Sequence, residues 1–515
     1  MTMTLGLTAP SQKELSTASP KVVRVLPVLH ALFESLGRAG VRHCHWKSNW
    51  RLPETLRGET DLDLLVHRAD TSRFLSLVGA LGFKPASGED HPSVWHCYGC
   101  DDESGRLLDL HVYYRVVTGG TIKGYHLPVE EMLLRGARPT EAGVYVPEPA
   151  AEMVLFVIRK SLDYAVASEA LIPREWKAAA DELRWLMSQG ARDEDVRRLL
   201  DEYLPSVEFA LFEKLRDAIE SGRWGVGRFR LGRALASRLR PYRRFARPSA
   251  TVARSRRAWR KAWRTLRGGT PTQALRSGGA VIGVVGSDGS GKSTVIAEMS
   301  RWLGEFLSVA TIHGGKPPPS VTTALPRLLL PLLRRMLPRY RTTRVELRAR
   351  EGKGMEPAAM RTGPLLLFAL RALMLAYERK KLLIRAHRRA ANGTLVLSDR
   401  YPTRQPGVPE GAMLHFLRDD PRPLYRWLAR AEERTYRAIP QPDLVLRLDV
   451  PLELAVQRNL TRSKPGGPEP TEYLRQRHAK SSELEFTGVP TYRIRTDAMV
   501  EETMRAVKPI LWNAL

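Results

Sequence analysis

The chain is 515 residues long, which at roughly 150 residues per domain excludes a single small binding module and predicts three or four compact units. Hydrophobic residues at 43% and charged residues at 27% supply enough apolar material for ordinary cores, so a mainly disordered chain is excluded too. Lys and Arg outnumber Asp and Glu by 82 to 55, and the net charge of +27 favours phosphate-rich partners: nucleotides, nucleic acid or an anionic membrane surface. Only three cysteines occur, Cys44, Cys97 and Cys100, so no disulfide framework is available and a reducing compartment is the natural reading. No run approaches the roughly 18 uncharged apolar residues of a membrane-spanning helix. Pro364 to Tyr377 carries Arg371, and Leu328 to Leu337 contains Pro331, Arg334 and Arg335. Residues 1–20 are Thr-, Ser- and Pro-rich, without a basic segment leading into an apolar one, so they read as a loose tail rather than a secretory signal, and the expected location is the cytoplasm.

In chain order, Val22 to Gly40 has helix-period apolar residues. Gly58 to Val66 (GETDLDLLV) reads as a turn feeding a short strand, Thr71 to Leu81 as a second helix, and Val94 to Tyr98 and Arg106 to Val117 as further strands. A mixed α/β domain over residues 21–148 is therefore expected. From Pro149 to about Ser221 the periodicity is helical, with Trp176, Leu183 and Trp185 among the expected buried positions, which defines a helical region over 149–222. Between Arg223 and Arg267 there are 16 Lys and Arg and no Asp or Glu, leaving only +11 for the rest of the chain. This 223–276 stretch reads as a basic linker and helix. Trp259 and Trp263 stand four apart among Arg256, Arg257, Arg260 and Lys261, so the segment is also a candidate contact for an anionic membrane or RNA.

A new domain, 277–515, opens with Ala280 to Val285 (AVIGVV), a β-branched run of the kind buried in a parallel sheet. GSDGSGKST follows at once, Gly286, Ser287, Asp288, Gly289, Ser290, Gly291, Lys292, Ser293 and Thr294, and then a helical pattern through Val295, Ile296, Met299, Trp302 and Leu303. Strand, glycine-rich loop and helix thus stand in the order a phosphate-binding loop needs. The glycines let successive N–H groups point at one anion, and the helix adds the partial positive charge of its N-terminus. Lys292 then bridges β and γ phosphates and the Ser293 hydroxyl holds Mg²⁺, so ATP and Mg²⁺ are the expected ligands. Thr394 to Ser398 is a second buried-strand pattern, and it delivers Asp399-Arg400-Tyr401 at its carboxyl end, where ligands sit in a doubly wound sheet. Asp399 there is placed to hold the metal shell and Arg400 to grip a phosphate group. Leu444 to Val450 (LVLRLDV) gives a third strand; Arg458, Arg462, Lys464, Arg475 and Arg477 follow, interrupted by PGGPEP, which is the composition of an arginine-bearing lid. Tyr492 to Thr496 supplies a last strand.

These residues resemble the thymidylate kinase family of P-loop nucleotide kinases from about Ala280 to the end of the chain. The points of similarity are DGSGKST at Asp288 to Thr294, DRY at Asp399 to Tyr401, PDLVLRLDVP at Pro442 to Pro451, and the arginines after it. The resemblance implies transfer of the γ-phosphoryl of ATP, with Mg²⁺, to a nucleoside monophosphate. It places Gly291, Lys292, Ser293 and Thr294 on ATP, Asp288 near the acceptor sugar, Arg400 on the acceptor phosphate with Tyr401 beside it, and Arg458 or Arg462 on the lid. The catalytic set is then Lys292, Asp399, Arg400, Arg458 and Arg462. Three departures stand out: PTRQPGVPEG at Pro402 to Gly411 replaces the acceptor-base motif, Val285 replaces an acidic residue, and Gly314 to Glu356 is a proline- and arginine-rich insertion. A phosphoryl transferase is expected, with an acceptor other than thymidylate.

Asp61 and Asp63 alternate in GETDLDLLV, which puts them on one strand face, and Asp109 lies in LLDLHVYY. Converging carboxylates of this kind hold Mg²⁺ for nucleotidyl transfer. The arrangement resembles the nucleotidyltransferase superfamily, although Lys47-Ser48 stands where that family carries Gly-Ser or Gly-Gly. Together the two halves resemble bifunctional-looking bacterial proteins often associated with surface-polysaccharide synthesis. Cys97-Tyr98-Gly99-Cys100, near His96 and with His43, Cys44 and His45 in another segment, lacks a second Cys-x-x-Cys, so thiols without a metal are expected there. The fold class expected is thus α/β: a C-terminal doubly wound parallel-sheet P-loop domain, an N-terminal mixed α/β nucleotidyltransferase-like domain and a helical middle region. The expected partners are a nucleotide, a small-molecule acceptor, an anionic membrane or nucleic acid through 223–267, and a second copy in a homodimer. The rivals to a kinase are an ATP-hydrolysing switch and a nucleotidyltransferase.

Overall fold

The computed structural model describes residues 25–87, 93–165, 176–222, 226–266, 273–315, 317–318, 362–408, 410–461 and 471–515. In chain order the first elements are α1 (Pro27–Arg38), β1 (His43–His45), α2 (Leu52–Leu56), β2 (Leu62–Val66), α3 (Thr71–Ala80), β3 (Lys84–Ser87), β4 (Trp95–Cys100), β5 (Leu107–Tyr113), β6 (Val116–Thr118), β7 (Tyr125–Leu127), α4 (Glu130–Arg135), β8 (Arg138–Pro139) and β9 (Tyr145–Val146). Helices follow: α5 (Pro149–Leu162), α6 (Trp176–Ser188), α7 (Asp193–Tyr203), α8 (Phe209–Glu220), α9 (Val226–Arg238) and α10 (Arg247–Leu266). The remainder is β10 (Ala274–Leu275), β11 (Val281–Gly286), α11 (Lys292–Gly304), β12 (Val309–His313), α12 (Thr362–Ala391), β13 (Leu395–Asp399), α13 (Pro423–Arg437), β14 (Leu444–Asp449), α14 (Leu452–Leu460), α15 (Thr471–Ser482), β15 (Thr491–Arg495) and α16 (Val500–Asn513). The expected elements are found within a few residues of their sequence boundaries. The tail 1–20, Arg462, Lys464 and PGGPEP lie outside the described residues, as does most of the Gly314 to Glu356 insertion.

The chain gathers into two compact units, Met1–Thr71 with Arg115–Arg244 and Ser72–Tyr114 with Phe245–Leu515. The α/β stretch read as one domain over 21–148 is therefore divided. In the first unit β1 and β2 pair antiparallel, His43 opposite Val66 and His45 opposite Leu64. Its core is built on α5, whose residues Ala150 to Ile158 are all buried, because a helix apolar on every side must be surrounded. Helices α6 to α9 pack around it. Leu183 is buried, whereas Trp185 is half-buried. The expected boundary at 222/223 falls inside this helical body: α9 packs on α5 through buried Leu235 and Ala236. A side chain at Gly232 would strike the Ser161 carbonyl at 2.8 Å, so only glycine allows the two helices this approach. Arg228, buried, donates to the Ala218 and Ile219 carbonyls and so satisfies the open end of α8.

The second unit contains a parallel five-stranded sheet in the order β12-β13-β11-β14-β15. Its inner strands β13, β11 and β14 are nearly continuous in apolar residues because both faces are covered, whereas the edge strands β12 and β15 are largely exposed or half-buried. Ile282, Val284, Leu446 and Leu448 face a cluster with Val295, Met299, Val507 and Leu511, from α11 and α16. Val281, Val285 and Val445 face the opposite cluster, with Ala376, Leu383 and Tyr436 from α12 and α13. The same unit holds an antiparallel ribbon, β5-β4-β3-β10. Tyr98 packs on Phe306 at 5.3 Å between ring centres, and Trp512 Nε1 donates to the Gly82 carbonyl at 3.0 Å. These aromatic contacts are why Ser72–Tyr114 belongs with the C-terminal half. No helix among the described residues is long and apolar enough to cross a membrane.

Candidate functional site: the loop after β11

The loop between β11 and α11 sits at the carboxyl end of the parallel sheet, where the chain turns from β11 to strands on either side of it. Gly286 has φ 149°, and a side chain on it would meet the Leu448 carbonyl at 2.5 Å and Ser290 Oγ at 2.7 Å. Gly291 is left-handed at φ 79° and forms the N-cap of α11, so Lys292 begins the helix directly behind the loop. Lys292 is buried and folds back: its ammonium donates to the Gly286 carbonyl at 3.1 Å and the Ser287 carbonyl at 2.6 Å. Burial, and then the nearby Arg400 charge, push its pKa down to about 8, with Asp288 and Asp399 opposing. Ser293 and Thr294 are exposed in the first helical turn.

Asp399 ends β13 opposite Val284 of β11. Its Oδ1 is buried without a hydrogen-bond partner among the described residues, and so is Ser290 Oγ in the loop. Buried polar atoms of that kind are costly unless something else satisfies them. A hard cation at the Asp399 carboxylate and a phosphate oxygen at the Ser290 hydroxyl have the chemistry these atoms lack, so the residues present fit a metal–nucleotide ligand.

Arg400, the next residue, has a left-handed backbone at φ 65°, unusual outside glycine. That turn sends its guanidinium back across the loop, where it pairs with Asp288 at 2.5 Å and with Glu410 at 2.8 Å. Arg477 of α15 reaches the other Asp288 oxygen at 3.0 Å and lies 3.9 Å from Glu410. Glu410 also pairs with the buried Arg379 of α12, which donates to the Tyr436 hydroxyl at 2.6 Å and the Gly314 carbonyl at 3.0 Å. Burial alone would raise the Glu410 pKa, but Arg379, Arg400 and Arg477 together hold it down to about 2. Three guanidiniums thus converge on two carboxylates beside the loop.

Other expected site residues stand elsewhere. Tyr401 is a core residue: its ring lies under Gly283, and its hydroxyl donates to the Pro440 carbonyl at 2.8 Å. Arg458, on α14, donates to the Gly289 carbonyl at 3.3 Å and the Thr496 carbonyl at 2.8 Å, so it braces the loop from behind. Glu410 and Arg379 were not singled out from the sequence; the only signal was that Glu410 lies in the segment that departs from the kinase pattern. In that segment Thr403 and Gln405 are tied to the Glu485 backbone at 3.0 and 3.2 Å, beside a cleft of about 410 Å³.

In the first unit Asp61 lies exposed just before β2, while Asp63 is buried within it. Asp63 pairs with Lys47 at 2.9 Å, so an ammonium from the chain occupies one oxygen of the carboxylate expected to bind metal. Asp109, the third expected ligand, is on β5 of the second unit. A polar cleft of about 560 Å³ adjoins Ser48, lined in part by Arg51, Lys123, Lys160, Asp163 and Glu182. Behind it is a network not foreseen from the sequence. Asn49 donates its backbone N–H to Glu152 Oε1 at 3.2 Å and its amide to Oε2 at 2.8 Å, while His45 Nδ1 lies 2.6 Å from Asn49 Oδ1. Burial raises the Glu152 pKa to about 7. A carboxyl group raised from 4.5 in this way stabilises the fold fully below pH 4.5, and that contribution is lost as the pH rises to about 7, a change of about 3 kcal/mol. The difference in unfolding free energy between the native chain and Glu152→Gln should therefore fall over that window and level off above it; a flat difference in chemical denaturation would contradict the assignment.

Cys97 and Cys100 are three apart on β4 and so point to opposite faces, and burial pushes both thiols up to about 12. The two thiols therefore do not face each other as a pair. On α10, Trp259 and Trp263 stack at 5.5 Å between ring centres and are 65% and 44% exposed.

No protein-family model matches the chain, and no curated protein matches it. Among solved structures, a thymidylate kinase from Candida albicans is 16% identical and covers 46% of this chain and 92% of its own, with a TM-score of 0.27. A deoxyadenosine kinase from M. mycoides with bound dATP is 14% identical and covers 45% of this chain and 98% of its own, also at a TM-score of 0.27. At that score neither likeness bears on the chemistry of this chain, which rests on its own residues.

Proposed function

We propose that the second unit is a phosphotransferase, which moves the γ-phosphoryl of ATP to the oxygen of a small acceptor, a nucleotide or a related phosphorylated compound. The observation that supports this most directly is the joining of two half-sites. The glycine loop with Lys292 and the unsatisfied Asp399 Oδ1 forms one, and Arg400 and Arg477 on Asp288 form the other. Two guanidiniums held together beside the loop have the fork geometry that grips an acceptor phosphate.

In this reading the loop N–H groups and the α11 N-terminus hold the β phosphate, and Lys292 exchanges its two carbonyl partners for β and γ oxygens. Asp399 and Ser293 would hold Mg²⁺, which when bound neutralises charge on the phosphates. Arg400 and Arg477 orient the acceptor phosphate and stabilise the charge spread over the transferring group. A bond forms from the acceptor oxygen to the γ phosphorus as the bond to the bridging oxygen breaks, and ADP leaves. Asp288 and Glu410 keep both guanidiniums aimed at that position while the site awaits substrate. Nucleotidyl transfer in the first unit would require Asp63 to be released from Lys47.

The test is incubation of the full chain with γ-labelled ATP, Mg²⁺ and a pool of nucleosides, nucleoside monophosphates, sugars and sugar phosphates, with the labelled product identified by mass. A labelled acceptor whose formation drops by orders of magnitude in Arg400→Ala supports the proposal. Label released only as free phosphate, at the same rate with and without the pool, would replace it with an ATP-driven switch.

A further inference from the structure

Outside the loop site, the second unit holds a cluster that phosphoryl transfer does not use. His96 and Tyr98 of β4 and Asp109 and His111 of β5 share one face of the antiparallel ribbon, with His96 directly opposite His111 and Tyr98 opposite Asp109. The register alone brings the four side chains together, while Cys97 and Leu110 turn to the other face and are buried there. His96 Nδ1 lies 3.1 Å from Asp109 Oδ1, and His111 Nε2 lies 3.2 Å from Asp109 Oδ2. The imidazole rings stand nearly perpendicular, 87° apart at 4.6 Å between centres. One ligand atom from each of the three residues lies within 4.8 Å of the others.

We propose that His96, Asp109 and His111 form a binding site for a divalent transition-metal ion of the zinc class, distinct from the Mg²⁺ expected at the phosphate loop. Metal–ligand distances of about 2.0–2.1 Å in tetrahedral geometry place neighbouring ligand atoms about 3.3 Å apart, close to the two nitrogen–oxygen separations already present. The donor set selects the metal: two imidazoles with one carboxylate suit Zn²⁺, Fe²⁺ or Co²⁺, whereas Mg²⁺ and Ca²⁺ prefer oxygen alone. Side-chain exposures of 14%, 8% and 16% for His96, Asp109 and His111 leave the cluster partly open, so a water or a ligand atom completes the shell. The Tyr98 hydroxyl donates to Asp109 Oδ2 at 3.2 Å and serves as the outer partner that orients the carboxylate. Asp109 thereby changes partners. Grouped by sequence with Asp61 and Asp63, it belonged to an all-oxygen magnesium site; grouped with two histidines, it belongs to a different class of metal.

The experiment uses the full-length chain, stripped with a chelator that is then removed, and titrates it with Co²⁺ followed by visible absorption and calorimetry. One Co²⁺ per chain is expected, displaced by Zn²⁺ but not by excess Mg²⁺. His96→Gln/His111→Gln should lose the cobalt spectrum, and Tyr98→Phe should weaken affinity by about 10–100-fold without removing it. Asp399→Asn, which removes the carboxylate expected to hold the ion at the phosphate loop, should bind cobalt as the native chain does, which separates this site from the phosphate loop. The proposal is overturned if the native chain gives no cobalt spectrum, if the double-histidine variant retains it, or if thiolate-to-cobalt absorption places the ion on cysteine. Should the double variant unfold, His111→Gln alone with circular dichroism as the folding control gives the same decision.

Discussion

Replacing Lys292 by Met is expected to lower the rate of ATP-dependent phosphoryl transfer by about a thousandfold, the scale on which a single well-placed charge at a developing phosphate or oxyanion acts. The native fold should survive, since among the described residues the hydrogen bonds of the ammonium go to the Gly286 and Ser287 carbonyls of the loop itself. The pH dependence carries a sharper signature. With its pKa pushed down to about 8 by burial and by Arg400, the empty chain holds Lys292 charged below that pH and neutral above it. The phosphate ligand needs the charged form, so nucleotide affinity should fall about tenfold per pH unit above 8. Stability of the empty chain should move the other way. A lysine whose folded pKa lies below its unfolded value of 10.5 binds more protons when unfolded, so its contribution to stability rises as pH increases from about 8 to 10.5. Opposite slopes for binding and stability, both absent in Lys292→Met, would be measured by nucleotide titration and by denaturant melts across that range. Parallel slopes would remove the lysine from the nucleotide site.

Glu410→Gln is expected to be the most destabilising single change near the site, at about 3–5 kcal/mol, because it leaves the buried Arg379 guanidinium without its carboxylate. Arg400 loses one of its two carboxylate partners in the same variant, so the KM for the acceptor should rise more than the KM for ATP. Acid titration provides the sign. A carboxyl group depressed from 4.5 to about 2 contributes its stability above pH 4.5 and loses it as pH falls towards 2, about 3 kcal/mol in all. The native chain should therefore lose stability over that interval by more than Glu410→Gln does. Arg379→Met/Glu410→Met should recover much of the single-variant loss, since removing both charges leaves neither stranded. A double variant as unstable as Glu410→Gln would mean the pair acts through packing and not through charge.

The geometry of the nine residues from Gly286 to Thr294 was legible because a glycine-rich strand-to-helix loop is a local object: glycine torsions, helix start and lysine all lie within a short stretch of chain, between a β-branched strand and an amphipathic helix. The parallel strands were legible for a related reason. Burial on both faces writes itself as an uninterrupted apolar run, as in Leu395 to Leu397 and Leu444 to Leu446. Asp399 could be placed because it ends such a run. The basic stretch 223–267 was legible as charge and as helix but not as packing, since charge counts cannot tell that Gly232 and Leu235 turn α9 inward while Trp259 and Trp263 stay exposed on α10.

What only the tertiary structure decided are the pairings between residues distant in sequence. Glu410 meets Arg379 across 31 positions and Asp288 meets Arg400 across 112, distances over which no periodicity connects one side chain to another. Asp63 reads as a metal ligand until Lys47, sixteen positions earlier, is seen to hold it at 2.9 Å. Asp109 reads as a third magnesium carboxylate until the β4–β5 register sets His96 and His111 against it. The sequence by itself determined the torsions, the apolar faces and hence the elements, because those depend on near neighbours. The partner of each buried charge was decided by packing, because desolvation makes an unpaired charge too costly and the fold supplies whichever counter-charge its topology brings within reach.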